Sequence, residues 1–113
     1  MSLRHLNTPI EAKSIPLPED WVLEGAPAPR GAVLVRSADG SQRSGRWQCE
    51  TGRFHYSFRS HETAHILKGV ALIQETEGEN YTIRAGDVVH FPKGLKTTWN
   101  VIEPIEKIFF LVE

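Results

Sequence analysis

The sequence predicts one all-β domain, a barrel or sandwich of short strands, and three observations point there. After Gly31, β-branched and aromatic runs follow one another with turn residues between them. The segment from Arg53 to Arg59 alternates with a period of two, the repeat of a half-buried strand. No stretch carries the longer period of an extended amphipathic helix, and many short strands so spaced argue for a sandwich or barrel. A chain of 113 residues suffices for one such domain with a serviceable core.

Residues 1–31 read as an extended arm and residues 32–113 as the β domain. Five of the seven prolines (Pro9, Pro16, Pro18, Pro27, Pro29) lie in the arm. Proline fixes φ and removes a donor, so this segment is neither helix nor central strand. Trp21, Val22 and Leu23 can pin the arm to the barrel or to a second subunit, and both readings stay open. Ala32 to Arg36 is the next strand, closed by the turn Ser37-Ala38-Asp39-Gly40. Arg43 to Cys49 follows, ended by Glu50-Thr51-Gly52. In Arg53 to Arg59, Phe54, Tyr56 and Phe58 share one face while His55, Ser57 and Arg59 share the other. Glu62 to Lys68, Val70 to Thr76, Tyr81 to Arg84, Val88 to Phe91, Leu95 to Ile102 and Ile105 to Val112 complete the series. Gly69, Glu77-Gly78-Glu79-Asn80, Ala85-Gly86-Asp87, Pro92-Lys93-Gly94 and Glu103-Pro104 punctuate it.

Composition narrows the function classes. The formal net charge is -1, which gives no electrostatic footprint for nucleic acid or an anionic membrane. The longest apolar runs, such as Ile108 to Val112, are far too short to span a bilayer. Met1 to Ile10 lacks a positively charged stretch followed by an apolar core, so no secretory signal is expected. Cys49 is the single cysteine, which excludes an internal disulfide and fits a reducing, cytoplasmic compartment.

His61-Glu62-Thr63-Ala64-His65 matches the HExxH pattern of zinc proteases. That chemistry needs a helix, where i and i+4 sit about 5–6 Å apart on one face and share a zinc. On a strand the two histidines lie about 13 Å apart, at roughly 3.3 Å per residue, and no single metal binds both. The alternating segment upstream and Gly69 downstream both favour the strand. The protease reading is therefore disfavoured.

Two other stretches carry a family resemblance. Glu62 to Gly69 has the spacing that ends the first cupin motif, a glutamate, six residues and a glycine. Gly86-Asp87-Val88-Val89-His90-Phe91-Pro92-Lys93-Gly94 matches the glycines and proline of the second. With Gly40, Trp47-Gln48-Cys49, Gly52-Arg53-Phe54 and Trp99, the pattern over residues 20–113 resembles the ureidoglycine aminohydrolase-type small cupins. The resemblance implies an RmlC-like double-stranded β-helix, or jelly-roll barrel. It also implies hydrolysis of a ureido or amino compound, a chemistry that uses a metal. The mouth of such a barrel suits one small ligand. Gly69 and Gly86 are expected to take positive φ.

The family's metal ligands are two histidines and a glutamate from the first motif and a histidine from the second. Carried over residue by residue, these positions hold Tyr56, Phe58, Glu62 and Thr97. With a longer spacer the first pair becomes His55 and Ser57, which leaves His55 and Glu62. Two ligands are fewer than zinc sites normally use. His65 and His90 remain further imidazole candidates. The cofactor is thus left open, with a divalent metal among the options.

Parity adds a second question. A two-residue turn at Ser60-His61 pairing Arg59 with Glu62 would turn Glu62 away from Phe58's face, because a one-residue slip reverses every side chain. The inward Glu62 is therefore what the resemblance implies. Glu62, with His65 beside it, is the candidate catalytic group, since a carboxyl group in an apolar pocket suits acid or base work. Trp47, Tyr56, Phe58, Thr97 and Trp99 are the candidate ligand contacts. The large aromatics, Phe54 among them, either line a pocket or fill the barrel. Cys49 reads as a buried small hydrophobe, with no flanking base to activate it. The function read from this is small-molecule binding inside the barrel around Glu62, with an amidohydrolase-like activity or a metal-free metabolite- or sugar-binding module as its two forms. The expected partners are that ligand and a second copy of the chain in a homodimer, with neither nucleic acid nor membrane.

Overall fold

A computed structural model describes residues 2–6 and 11–113; Pro9 of the arm lies outside the described residues. The strands are β1 (Lys13–Ser14), β2 (Val22–Gly25), β3 (Arg30–Arg36), β4 (Gln42–Cys49), β5 (Gly52–Ser57), β6 (His61–Glu75), β7 (Asn80–Arg84), β8 (Val88–Phe91) and β9 (Lys96–Val112). A 3-10 turn at Glu19–Trp21 precedes β2. Among the described residues no helix is long and apolar enough to cross a membrane.

The two longest strands, β6 and β9, run antiparallel along each other and form the spine. The far edge of β9 carries β5 along its first half and β4 along its second. The far edge of β6 carries β8 along its first half and β7 along its second. β3 extends from β4, β1 from β3, and β2 from β5. The spine bends midway, so the two halves of the sheet curl toward each other. Their inward residues meet in one core that includes Phe54, Phe58, Ile66, Ile73, Phe91, Trp99 and Ile105. The arm therefore folds onto its own barrel, where Trp21 packs edge-on against Tyr56 with centroids 5.7 Å apart.

Two expected breaks do not end strands. Gly69 and Glu103-Pro104 lie inside β6 and β9, opposite each other, where the register shifts between Ile66 and Ala71. Gly69 takes φ +96° as expected, and so does Gly86. These residues bend the ladder with a bulge and do not terminate it, which is how a curling sheet turns a corner.

Candidate functional site

Strand alternation brings Glu62 inside by a route that a hairpin would not give. β5 and β6 are not paired with each other; both pair with β9. The crossing at 58–60 is held open by Phe58, whose N–H donates to Leu95 O (2.9 Å) and whose C=O accepts from Gly94 N–H (2.8 Å). Inward parity then runs unbroken through Phe54, Tyr56, Phe58, Ser60, Glu62, Ala64 and Ile66.

The interior reached by Glu62 holds a cation that the sequence reading did not single out. Glu62 and Lys107 are only 5% and 4% exposed, and Lys107 Nζ donates to Glu62 Oε2 in a buried ion pair. The ammonium also lies over three rings, 4.8 Å from the Trp47 centroid, 5.5 Å from Trp99 and 5.7 Å from Phe91. At these distances aromatic faces attract a cation, and the carboxylate balances its charge. The legible signal was parity: Lys107 shares the inward face of β9 with Ile105 and Phe109, an unusual place for a lysine.

Above Glu62 is a cavity of about 410 Å³, within the ordinary range for small-molecule sites. Tyr56, Phe58, Trp47 and Leu111 form its barrel side, and Arg43 and Arg59 also line it. The arm supplies the opposite wall through Leu17, Trp21 and their proline neighbours. β1 and β2 tether this wall at each end. Phe58 stacks on Phe91 at 4.3 Å and 7°, and a second cavity of about 360 Å³, lined by Phe91, Leu95 and Thr97, lies on the Phe91 side.

The sequence-predicted residues therefore separate. Trp47, Tyr56, Phe58 and Glu62 share the cavity. Trp99 does not line it: the ring is 1% exposed, stacked on Phe54 at 5.9 Å, with its N–H donated to Thr97 Oγ1 (3.1 Å). Thr97 is occupied as well, since its hydroxyl donates to Tyr56 O (2.9 Å). His65 lies three residues from Glu62 on one strand, so it is exposed on the outward face and does not share the cavity with Glu62.

The metal candidates fail the same test. His55 faces outward and shares a hydrogen bond with Thr98 Oγ1 (2.9 Å), and exposed His90 does so with Thr63 Oγ1 (3.0 Å). Glu62 is engaged by Lys107, and among the described residues no three His, Cys, Asp or Glu side chains converge. These residues do not fit a metal ion. His61 and His65 lie on a strand, so the HExxH string has no helix on which to act.

Two interior groups hold their protons strongly. Burial, followed by the Glu62 carboxylate, pushes the Tyr56 phenol up to about 12, so at neutral pH it is a hydrogen-bond donor and not a base. Burial pushes the Cys49 thiol up to about 12 as well, against a smaller opposing effect of Lys107. The unfolded chain releases these protons near the ordinary values of 9.0 and 10.0. Above pH 9 the unfolded state thus binds fewer protons than the folded one, and stability falls as pH rises. The contribution is complete below pH 9 and disappears progressively toward pH 12. Urea midpoints measured at pH 8 and pH 11 should drop for the wild-type chain, and less steeply for Cys49→Ala. Equal slopes would remove Cys49 from the effect.

A family model described as an EutQ-like cupin domain matches residues 36–109. Among solved structures, a DUF861 family protein from Thermotoga maritima is 38% identical, with a TM-score of 0.56 over 57% of this chain and 73% of that one. The EutQ protein of Clostridium difficile has a TM-score of 0.64 at 17% identity over 76% of this chain and 63% of that one. A DUF861 family protein of unknown function from Pseudomonas syringae has a TM-score of 0.80, also at 17% identity. That alignment covers 91% of this chain and 45% of the other. No curated protein matches. The fold is the cupin barrel that the resemblance implied.

Proposed function

We propose, from the premise that this chain belongs to the EutQ-like cupin domain family, that it binds a small metabolite inside the barrel without the help of a metal ion. One observation carries the reading: Glu62 lines the cavity while Lys107 holds its carboxylate from behind. The carboxylate is thereby presented from a fixed position, able to accept N–H or O–H groups of a ligand. A charge-assisted bond of this kind is stronger than a neutral one. Ureido and amino compounds, which carry such donors, are the ligand class that fits.

Hydrolysis of such a compound is the second reading, with Glu62 as the group that moves the proton. The chemistry implied by the resemblance to ureidoglycine aminohydrolase-type cupins uses a metal, and the residues around Glu62 do not supply one. Binding alone is the better-supported form.

Two measurements test this. Elemental analysis should find no stoichiometric zinc, manganese, iron or nickel, and dialysis against EDTA should leave the melting temperature unchanged. A thermal-shift screen of ureides, amino acids and sugars should find a stabilising ligand, because a ligand bound to the folded state raises stability by mass action. Glu62→Gln should weaken that ligand about tenfold or more, in line with a lost charge-assisted hydrogen bond. Stoichiometric metal, or unchanged binding by Glu62→Gln, would remove the reading.

A further inference from the structure

The charges around the cavity do not cancel. Glu62 is the one acidic side chain among the described residues that line it, and Lys107 neutralises Glu62 from below. Arg43 and Arg59 also line the cavity, and neither makes a salt bridge or side-chain hydrogen bond among the described residues. Arg43 sits on the inward face of β4, opposite Leu111 on β9, and is half-buried. A guanidinium carries five donors and stays charged at any working pH, so leaving it partly desolvated and unpaired is unfavourable. Arg46 and Arg53 have carboxylate partners, whereas both guanidinium forks at the cavity are free among the described residues.

We infer that the ligand is a small organic anion, its carboxylate or phosphate held by Arg43 and Arg59 and its body against Trp21 and Tyr56. This rests on the cavity being the binding site and names the chemistry of its occupant. Guanidinium forks match both anions in a bidentate geometry. The apolar and aromatic wall accepts a hydrocarbon or ring, and a donor group at the inner end reaches Glu62. The occupant is therefore bipolar in its hydrogen bonding, with acceptors at the arginine end and donors at the Glu62 end.

Four matched probes decide the matter: benzoate, phenyl phosphate, benzamide and benzylammonium, titrated by calorimetry and by tryptophan fluorescence. At least one anion is expected to bind about tenfold or more tightly than the amide and the amine, and to weaken as salt is added. The tighter of the two anions identifies the source of the charge. Arg43→Gln and Arg59→Gln are each expected to weaken the anion about tenfold or more. Arg59 is exposed, so its variant keeps the fold, and Arg43→Lys covers the case in which Arg43→Gln does not. Benzamide bound as tightly as benzoate, anion affinity unchanged in both glutamine variants, or no probe bound at all would each overturn the inference. If the neutral amide binds, is weakened by Glu62→Gln and ignores both arginine variants, the cavity reading survives and the anion does not. If Trp21→Ala and Glu62→Gln also leave every bound probe unaffected, both fall together.

Discussion

Lys107→Met should unfold at much lower urea than the wild-type chain, a loss of about 3–5 kcal/mol. Methionine keeps most of the volume of lysine, so the loss isolates the charge. What remains is a carboxylate 5% exposed with no cation beside it. An uncompensated buried charge costs far more than an intact pair contributes, because desolvation has already been incurred and nothing offsets it. The double variant Glu62→Leu/Lys107→Met should recover most of that loss, since two apolar groups of similar size replace the pair. The outward pairs Arg53–Glu24 and Lys68–Glu106 face solvent, with Glu106 half-buried, and their removal should change stability by no more than about 1 kcal/mol. Ligand binding separates the roles: the double variant keeps the barrel and loses the ligand. Lys107→Met with an unchanged urea midpoint would mean that the pair does not form. The tryptophan spectrum gives an independent check, because Trp47 and Trp99 both flank the ammonium.

The prediction turns on Lys107, and Lys107 marks the limit of what the sequence made legible. The barrel was readable because period-two alternation and turn residues act locally, within a few residues of each other. Phe54, Tyr56 and Phe58 on one face, and His55 and Arg59 on the other, follow from the pleat alone. The pairing of β6 and β9 is different in kind. It sets Lys107 opposite Ile66 and Glu62 opposite Leu111, and only that register lets an ammonium meet a carboxylate 45 residues away. The inward Glu62 was implied by a motif while hairpin parity spoke against it. The structure resolves the conflict because β5 and β6 share β9 as a neighbour and never pair, so no tight hairpin reverses the alternation. Trp99 and Thr97 matched motif positions yet serve the core, since their hydrogen bonds close on each other and on Tyr56. Sequence spacing located the interior. It did not divide that interior between the cavity at Glu62 and the one at Thr97, a division that depends on where the Phe58–Phe91 stack falls.

Gly69→Ala should destabilise the fold by about 3 kcal/mol or more, the combined effect of backbone strain and overpacking. At φ +96° a side chain is strained wherever it sits. Here a Cβ would also meet Pro104 O at 2.1 Å and Glu103 O at 2.8 Å, and both are backbone atoms that cannot swing aside. Gly86 separates the two effects. It has the same φ, +96°, but open space where its Cβ would lie, so Gly86→Ala carries the strain alone, about 1–2 kcal/mol. Urea midpoints of the two variants should therefore differ clearly, with Gly69→Ala the lower; equal losses would show that the close approach to Pro104 is not real. The consequence reaches the site because of where the bulge lies. Glu62 and Lys107 belong to the halves of β6 and β9 on one side of it, while Trp99 and Thr97, the β9 partner of Tyr56, belong to the other. The bend at Gly69 sets how those halves face each other. Forcing β6 away from Pro104 moves the carboxylate relative to Tyr56 across the cavity. Gly69→Ala is accordingly expected to weaken ligand binding at temperatures where it is still folded, whereas Gly86→Ala, on the loop between β7 and β8, leaves binding intact.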